Sequence, residues 1–151
     1  MSGAHAAFSP SSAHRVVTCP ASFRACMDMP RTTNWFAVEG TIGHAMHEHG
    51  LLNGTPAKSF VGMRPHAFME ATEMDPDEWA VVPADWVVDE TFAEHVQRSI
   101  DWCNQWTGEV FVEQRVNISL YTPIEKQFGS CDFSCIQRNG KLIINDLKMG
   151  A

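Results

Sequence analysis

The sequence has no apolar run near the roughly 20 residues that a membrane-spanning helix requires. Its start, MSGAHAAFSPSSAHR, has neither the basic opening nor the apolar core of a secretory signal. Both absences lead to the expectation of a cytoplasmic protein with no membrane partner. Positive charge is also scarce, and the formal net charge is -7. That argues against a basic coat spread non-specifically over nucleic acid. It leaves room for an enzyme acting on nucleic acid, because carboxylates hold the cation that meets a phosphate. Paired C-x-x-C motifs are missing too. The five cysteines, Cys19, Cys26, Cys103, Cys131 and Cys135, are odd in number and irregular in spacing. They read as reduced, buried thiols and not as a disulfide set or a zinc ribbon. There is no internal repeat and no low-complexity tract.

What is present suits one globular domain, residues 1–151, with 44% apolar and 19% charged residues. Ser9 and Pro10 form a helix-start signal ahead of SSAHRVV. TCPAS breaks that helix, and a second short piece is expected through FRACMD. The stretch WFAVEGTIGHAMHEHGLLNG predicts a helix over residues 37–52, ended by Gly50 or Gly54. Residues 53–84, with four prolines and the acidic MEATEMDPDE, read as a long irregular connection, of the kind that serves as a binding loop. The strongest helix signal is ADWVVDETFAEHVQRSIDWCNQWTG, where Val88, Phe92, Val96, Ile100, Cys103 and Trp106 recur at steps of three and four and Gly108 marks the end. Three extended runs follow: EVFVEQRVNI, FGSCDFSCIQ and KLIINDLKM. Helices first, then a meander of three strands, predicts N-terminal helices packed on a three-stranded antiparallel sheet, an α/β fold in α+β order.

The turn QRNGK sets what the last two strands present to each other. A two-residue Asn139-Gly140 turn would pair Arg138 with Lys141 and turn Asp132 away from Asp146. A three-residue loop, with Gly140 left-handed in a G1 bulge, pairs Gln137 with Lys141 and sets Asp132 opposite Asp146. The second register is the one expected here. Opposed side chains lie about 5 Å apart at Cβ, and like charges there repel. Two facing aspartates therefore call for a cation or a shared proton. Mg²⁺ or Mn²⁺ on Asp132 and Asp146 is the simpler answer, with the Leu147 carbonyl as a further ligand. Lys148, on the same face as Asp146 by the strand period of two, would orient a metal-bound water and offset phosphate charge. The alternative is a pair of solvated carboxylates on an open face.

In GTIGHAMHEHG, His44 and His47 are three apart and His44 and Glu48 four apart, so each pair shares a helix face. The spacing does not match the H-E-x-x-H zinc helix. A single histidine aimed at the strand carboxylates would complete a mixed His/Asp site; exposed polar residues on an amphipathic helix are the plain alternative.

Four segments, in order, resemble the RecB-like branch of the PD-(D/E)XK nucleases, and most closely the members encoded by bacteriophages and prophages. SPSSAHRVVTCPAS is similar to an opening Ser-x-Ser…Cys-Pro segment, EGTIGHAMHE to a Gly-Thr-x-x-His helix, GSCD to a Gly-x-x-Asp strand, and INDLKMG to an Asp-x-Lys strand. The resemblance implies a restriction-endonuclease-like core in the cytoplasm of a bacterial host. It implies metal-dependent hydrolysis of DNA phosphodiesters, usually by an exonuclease of recombination or repair. It places the metal-binding histidine on His44, the acidic residues on Asp132 and Asp146, the lysine on Lys148, and a first-strand glutamate on Glu113. In the family a helix, often with Gln-x-x-x-Tyr, and another strand follow the Asp-x-Lys strand, whereas these 151 residues reach only Ala151. The expectation is a core lacking that helix and strand, completed by a second copy or a second polypeptide. Some members hold an iron–sulfur cluster on the N-terminal cysteine and three later ones; Cys19 has a counterpart and the other three do not, so no cluster is expected. A non-cutting module that binds DNA or a protein partner is the competing expectation, and a zinc-binding module on His and Cys the third.

Overall fold

The computed structural model describes residues 13–19, 21–27, 33–72, 76–121 and 126–149. Its backbone divides into two compact units, Met1–Thr32 with Arg115–Ser130, and Thr33–Gln114 with Cys131–Ala151. The described elements, in chain order, are α1 (Ala13–Thr18), α2 (Ala21–Met27), α3 (Trp35–Asn53), α4 (Glu90–Cys103), β1 (Glu109–Asn117), β2 (Phe128–Ile136) and β3 (Leu142–Asn145). The strands form a three-stranded antiparallel sheet in the order β1-β2-β3. The fold is α+β, in the order the sequence predicts.

The first unit holds α1 and α2 and the far end of the β1–β2 connection. There Ile118 donates its amide to the Gln127 carbonyl at 3.0 Å, and Arg115 stacks 4.8 Å over the Phe128 ring. The helix-start signal at Ser9 and Pro10 lies outside the described residues.

The second unit carries the main core. α3 begins two residues earlier than the pattern suggests, because Asn34 caps it: its Oδ1 accepts from the Ala37 amide at 3.0 Å. It ends at Gly54, one of the two expected glycines, whose amide donates to Gly50 O at 2.9 Å. Val38, Ile42 and Met46, four apart, are fully buried and form its core stripe. Burying side chains of this size stabilises by about 2 kcal/mol each.

α4 is shorter than the periodic run. Asp89 stops it at the N-terminus, its Oδ1 accepting from the Phe92 amide at 2.7 Å, so Val88 lies ahead of the helix although it is fully buried. The helix ends at Cys103 and not near Gly108. Ala93, Val96, Ile100 and Cys103 form its buried stripe.

The described residues of the 53–84 stretch are more ordered than expected. They hold three 3₁₀ turns, Ala57–Phe60, Pro65–Phe68 and Pro76–Val81. Their apolar side chains explain the order: Ala57, Phe68 and Trp79 are buried against the α3–α4 core. Two backbone bonds, Gly62 to Val88 at 2.8 Å and Val88 to Met63 at 3.0 Å, close the segment onto the start of α4.

The hairpin takes the expected register. Gln137 donates to the Lys141 carbonyl at 2.9 Å, and Gly140 has φ 80°, the left-handed conformation of a G1 bulge. Phe133 pairs with Asn145 and Cys135 with Ile143. Phe133, Cys135 and Ile143 pack with Cys103 as a second small core. β3, however, stops at Asn145, so Asp146 and Lys148 lie beyond the strand and not on it as expected. The cysteine expectation holds in part: all five are free, Cys103 and Cys135 are buried, and Cys19 is exposed.

Candidate metal centre

Three elements of the second unit converge on one point. α3 contributes His44, β1 contributes Glu113 and β2 contributes Asp132. One nitrogen and two carboxylate oxygens from these residues all lie within 4.8 Å of one another. His44 Nδ1 is 3.3 Å from Asp132 Oδ2 and 3.8 Å from Glu113 Oε1.

Each residue reaches this point for a local reason. His44 is two residues past Ile42 on α3, so it sits at the margin of the buried stripe, half-exposed. Glu113 is turned by its backbone: φ is 48°, in the left-handed region that residues other than glycine rarely occupy. Phe111, Val112 and Glu113 are half-buried in succession, so the alternation of β1 is broken at this residue. Such conformations cost on the order of 1 kcal/mol and concentrate at functional sites. Asp132 is nearly buried, at 5% exposure, on the central strand. Its Oδ2 accepts from the Leu147 amide at 2.7 Å, which fixes the carboxylate.

The electrostatics of the cluster are unbalanced. Burial raises the Asp132 pKa, opposed by the charge of His44 and the Leu147 hydrogen bond, with Glu113 and Asp146 adding to the rise. The neighbouring Glu113 side chain raises the His44 pKa; burial opposes it and the Asp132 charge adds to it. At 3.8 Å the His44–Glu113 contact is an ion-pair separation and not a hydrogen bond. Glu113 Oε1 is buried with no hydrogen-bond partner among the described residues. Two carboxylates around one imidazole, one of them with an orphaned buried oxygen, form a donor set suited to a hard or borderline divalent cation.

The expected residues are therefore only partly brought together. His44, Glu113 and Asp132 meet. Asp146 and Lys148 pair with each other instead, Nζ to Oδ2 at 2.6 Å, with Asp146 about half and Lys148 mostly exposed. The register would set Asp146 opposite Asp132, but the ladder ends one pair earlier, at Phe133 and Asn145. The physical reason is the Leu147 amide. It turns toward the Asp132 carboxylate and draws the chain out of the sheet. Leu147 thus presents its N–H to the cluster, in the place where its carbonyl was expected. The chain continues to Met149, whose side chain lies where a Cβ on Gly43 would be, so a larger residue at 43 would push the Met149 side chain aside.

The other helix histidines part company. His49 is exposed, with Nδ1 3.3 Å from Asn53 Nδ2 and its ring against Phe60. His47 is fully buried in a polar cluster that the sequence pattern did not reveal. Asn145 Nδ2 donates to Ser99 Oγ at 2.7 Å, and Ser99 Oγ lies 3.1 Å from His47 Nε2. Ser99 Oγ and His47 Nε2 share that hydrogen bond, while His47 Nδ1 is buried with no hydrogen-bond partner among the described residues, an environment that favours the neutral imidazole. Burial lowers the His47 pKa to about 4, helped by the charge of His44. Cys103 Sγ receives a 3.2 Å bond from Asn145, and burial pushes its thiol up, so it stays protonated. The signal for this cluster was the four-residue step from Ser99 to Cys103, which sets both on one face of α4.

Fold and site together define an α+β protein, helices on a three-stranded antiparallel sheet, with a His–Glu–Asp cluster at the meeting of α3, β1 and β2. The chain belongs to the family described as "Protein of unknown function (DUF2800)", whose model matches residues 5–151. No solved structure matches it.

Proposed function

We propose that this chain is the metal-binding core of a Mg²⁺- or Mn²⁺-dependent deoxyribonuclease, with a restriction-endonuclease-like arrangement of its strands. The observation that carries the proposal is the convergence of His44, Glu113 and Asp132, with the strained Glu113 backbone and its orphaned oxygen. His44 Nδ1 and the Glu113 and Asp132 carboxylates would hold the cation. When bound, the cation supplies an activated water and charge to meet the phosphate. The chain's own residues do the rest. The Leu147 amide holds Asp132 in place. His44 gives up its proton to offer a lone pair. Lys148, exposed one residue past Leu147, would exchange its Asp146 partner for a phosphate oxygen and offset charge there. The order of the segments adds support, since each resembles a RecB-like motif in the expected sequence, and a role in phage recombination or repair follows from that likeness.

The test is cleavage of linear single- and double-stranded DNA with Mn²⁺ and with Mg²⁺. Wild-type protein should cut, and Asp132→Asn, Glu113→Gln and Lys148→Ala should each lower the rate by a hundredfold or more, on the order of losing one electrostatic stabiliser. Unchanged rates in all three would remove the proposal. One observation favours a second reading: Asp146 and Lys148 neutralise each other outside the cluster. A module that binds the cation and a DNA or protein partner without cutting would give Mn²⁺ binding dependent on Asp132 and no cleavage.

A further inference from the structure

A cleft of about 370 Å³ runs between α4 and the segment after β3. His95, Arg98 and Trp102 line its helix side at steps of three and four. Asn145, Asp146 and Lys148 line the other. The floor is rigid: the Asn145–Ser99 bond and a 3.1 Å bond from His95 Nε2–H to the Lys148 carbonyl tie the two sides together. Trp102 is 37% exposed beside this cleft, with Trp106 edge-on at 5.3 Å and Lys141 5.9 Å over the Trp106 ring. In a chain of net charge -7, Arg98 and two indoles thus lie along one strip, beside the Lys148–Asp146 pair.

We infer that this cleft is a single-strand binding surface, which stacks an unpaired base on Trp102 and takes an adjoining phosphate on Arg98. The inference rests on the nuclease reading for its choice of a polynucleotide, and deepens it by naming the form of the strand. Stacking needs an exposed base face, which a duplex hides, and the cleft is near the small end of ligand sites. Arg98 is free to exchange partners: its pair with Glu94 spans 3.8 Å with both side chains mostly exposed, a weak interaction. The surface leads to the cluster, because Leu147, between Asp146 and Lys148, is the residue that holds Asp132.

The experiment is fluorescence anisotropy of a fluorescein-labelled oligothymidylate in EDTA, across a salt series, with cleavage measured separately in Mn²⁺. Wild type should bind the single strand more tightly than a duplex of equal length. Trp102→Ala should weaken binding by about 5- to 100-fold, the effect of losing one stacked base, while Trp102→Phe stays within a few-fold of wild type. Arg98→Gln, at an exposed position that folding does not need, should flatten the log–log salt slope by about 0.7, one phosphate contact. Equal affinity in wild type and Trp102→Ala, equal affinity for duplex, no binding at all, or equal displacement by a polyglutamate peptide each overturns the inference. Asp132→Asn separates the two readings: it should keep strand binding and lose cleavage. Trp102-dependent binding with no cleavage by wild type would sink the nuclease and leave the strand surface standing.

Discussion

His47 should make this protein acid-sensitive by an amount that the structure allows to be worked out. The imidazole is fully buried, and its pKa falls from 6.5 in the unfolded chain to about 4 in the folded one. Above 6.5 neither state carries the proton and His47 contributes no pH dependence. Between 6.5 and about 4 the unfolded state binds a proton that the folded state refuses, so stability falls as pH falls. At 1.36 kcal/mol per unit over about 2.5 units, the full loss is about 3.4 kcal/mol, of which about 3 kcal/mol is reached by pH 4, where the folded state is half protonated. That is a large share of the stability of a small domain. The folded state resists protonation because a charged imidazole would be buried, close to the charge of His44 and with Nδ1 unpartnered among the described residues. The assay is urea unfolding of wild type and His47→Gln across this pH range. Groups that do not interact with His47 titrate in both proteins and cancel in the difference, leaving the His47 burial and its smaller coupling to His44 and Glu113. The difference in unfolding free energy should change by about 3 kcal/mol in favour of the variant as pH drops from above 6.5 to 4. Parallel curves would show that His47 is not held neutral by burial, and the reasoning would fall.

Further expectations concern the cluster and its surroundings. Mn²⁺ at a hundred times its dissociation constant should stabilise the fold by about 2.7 kcal/mol, seen as a rise in Tm of several degrees, and Glu113→Gln should abolish the rise. Mn²⁺ affinity by calorimetry should increase with pH through and above 6.5, because the raised His44 pKa keeps a competing proton in place until then; an affinity that does not change with pH would exclude His44 as a ligand. Without metal, Asp132→Asn should unfold no more easily than wild type, since burial raises the carboxyl pKa and its ionised form costs stability as pH rises past the ordinary 3.8. Glu113→Gly should gain about 1 kcal/mol in the metal-free protein by relieving the left-handed strain, and lose metal binding; a loss of stability would mean the conformation is not strained. Gly43→Ala should cost about 1–3 kcal/mol by overpacking against Met149, and Met149→Ala should recover most of it in a double-mutant cycle.

Much of the fold could be read in the chain because its causes are local. The hairpin register follows from one glycine: a left-handed Gly140 permits the three-residue loop, and the pairing of Phe133 with Asn145 then follows by counting. Helices α3 and α4 announce themselves through apolar steps of three and four, and His44, Glu113 and Asp132 lie on the elements expected, while Asp146 falls one residue past β3. The ends of elements were less legible. Asp89 cuts α4 short because its carboxylate finds the Phe92 amide, and a competing N-cap is a weaker signal than the apolar pattern that runs past it.

Sequence alone determined the element types, their order, the register of the last hairpin and the residue types available for a cation. Only the tertiary structure decided which of them meet. Strand alternation would send Asp146 to face Asp132, but an amide two residues past the strand end reaches the buried carboxylate first and takes the chain out of the sheet. A left-handed backbone at Glu113 brings in a glutamate that periodicity could not aim. His44 and His47 look equivalent on a helix wheel, yet one meets two carboxylates and the other is buried against Ser99 and Cys103. Spacing fixes the direction of a side chain from its own backbone. What it encounters there is set by segments distant in sequence, and the charge and burial of those segments decide whether it becomes a ligand or part of the core.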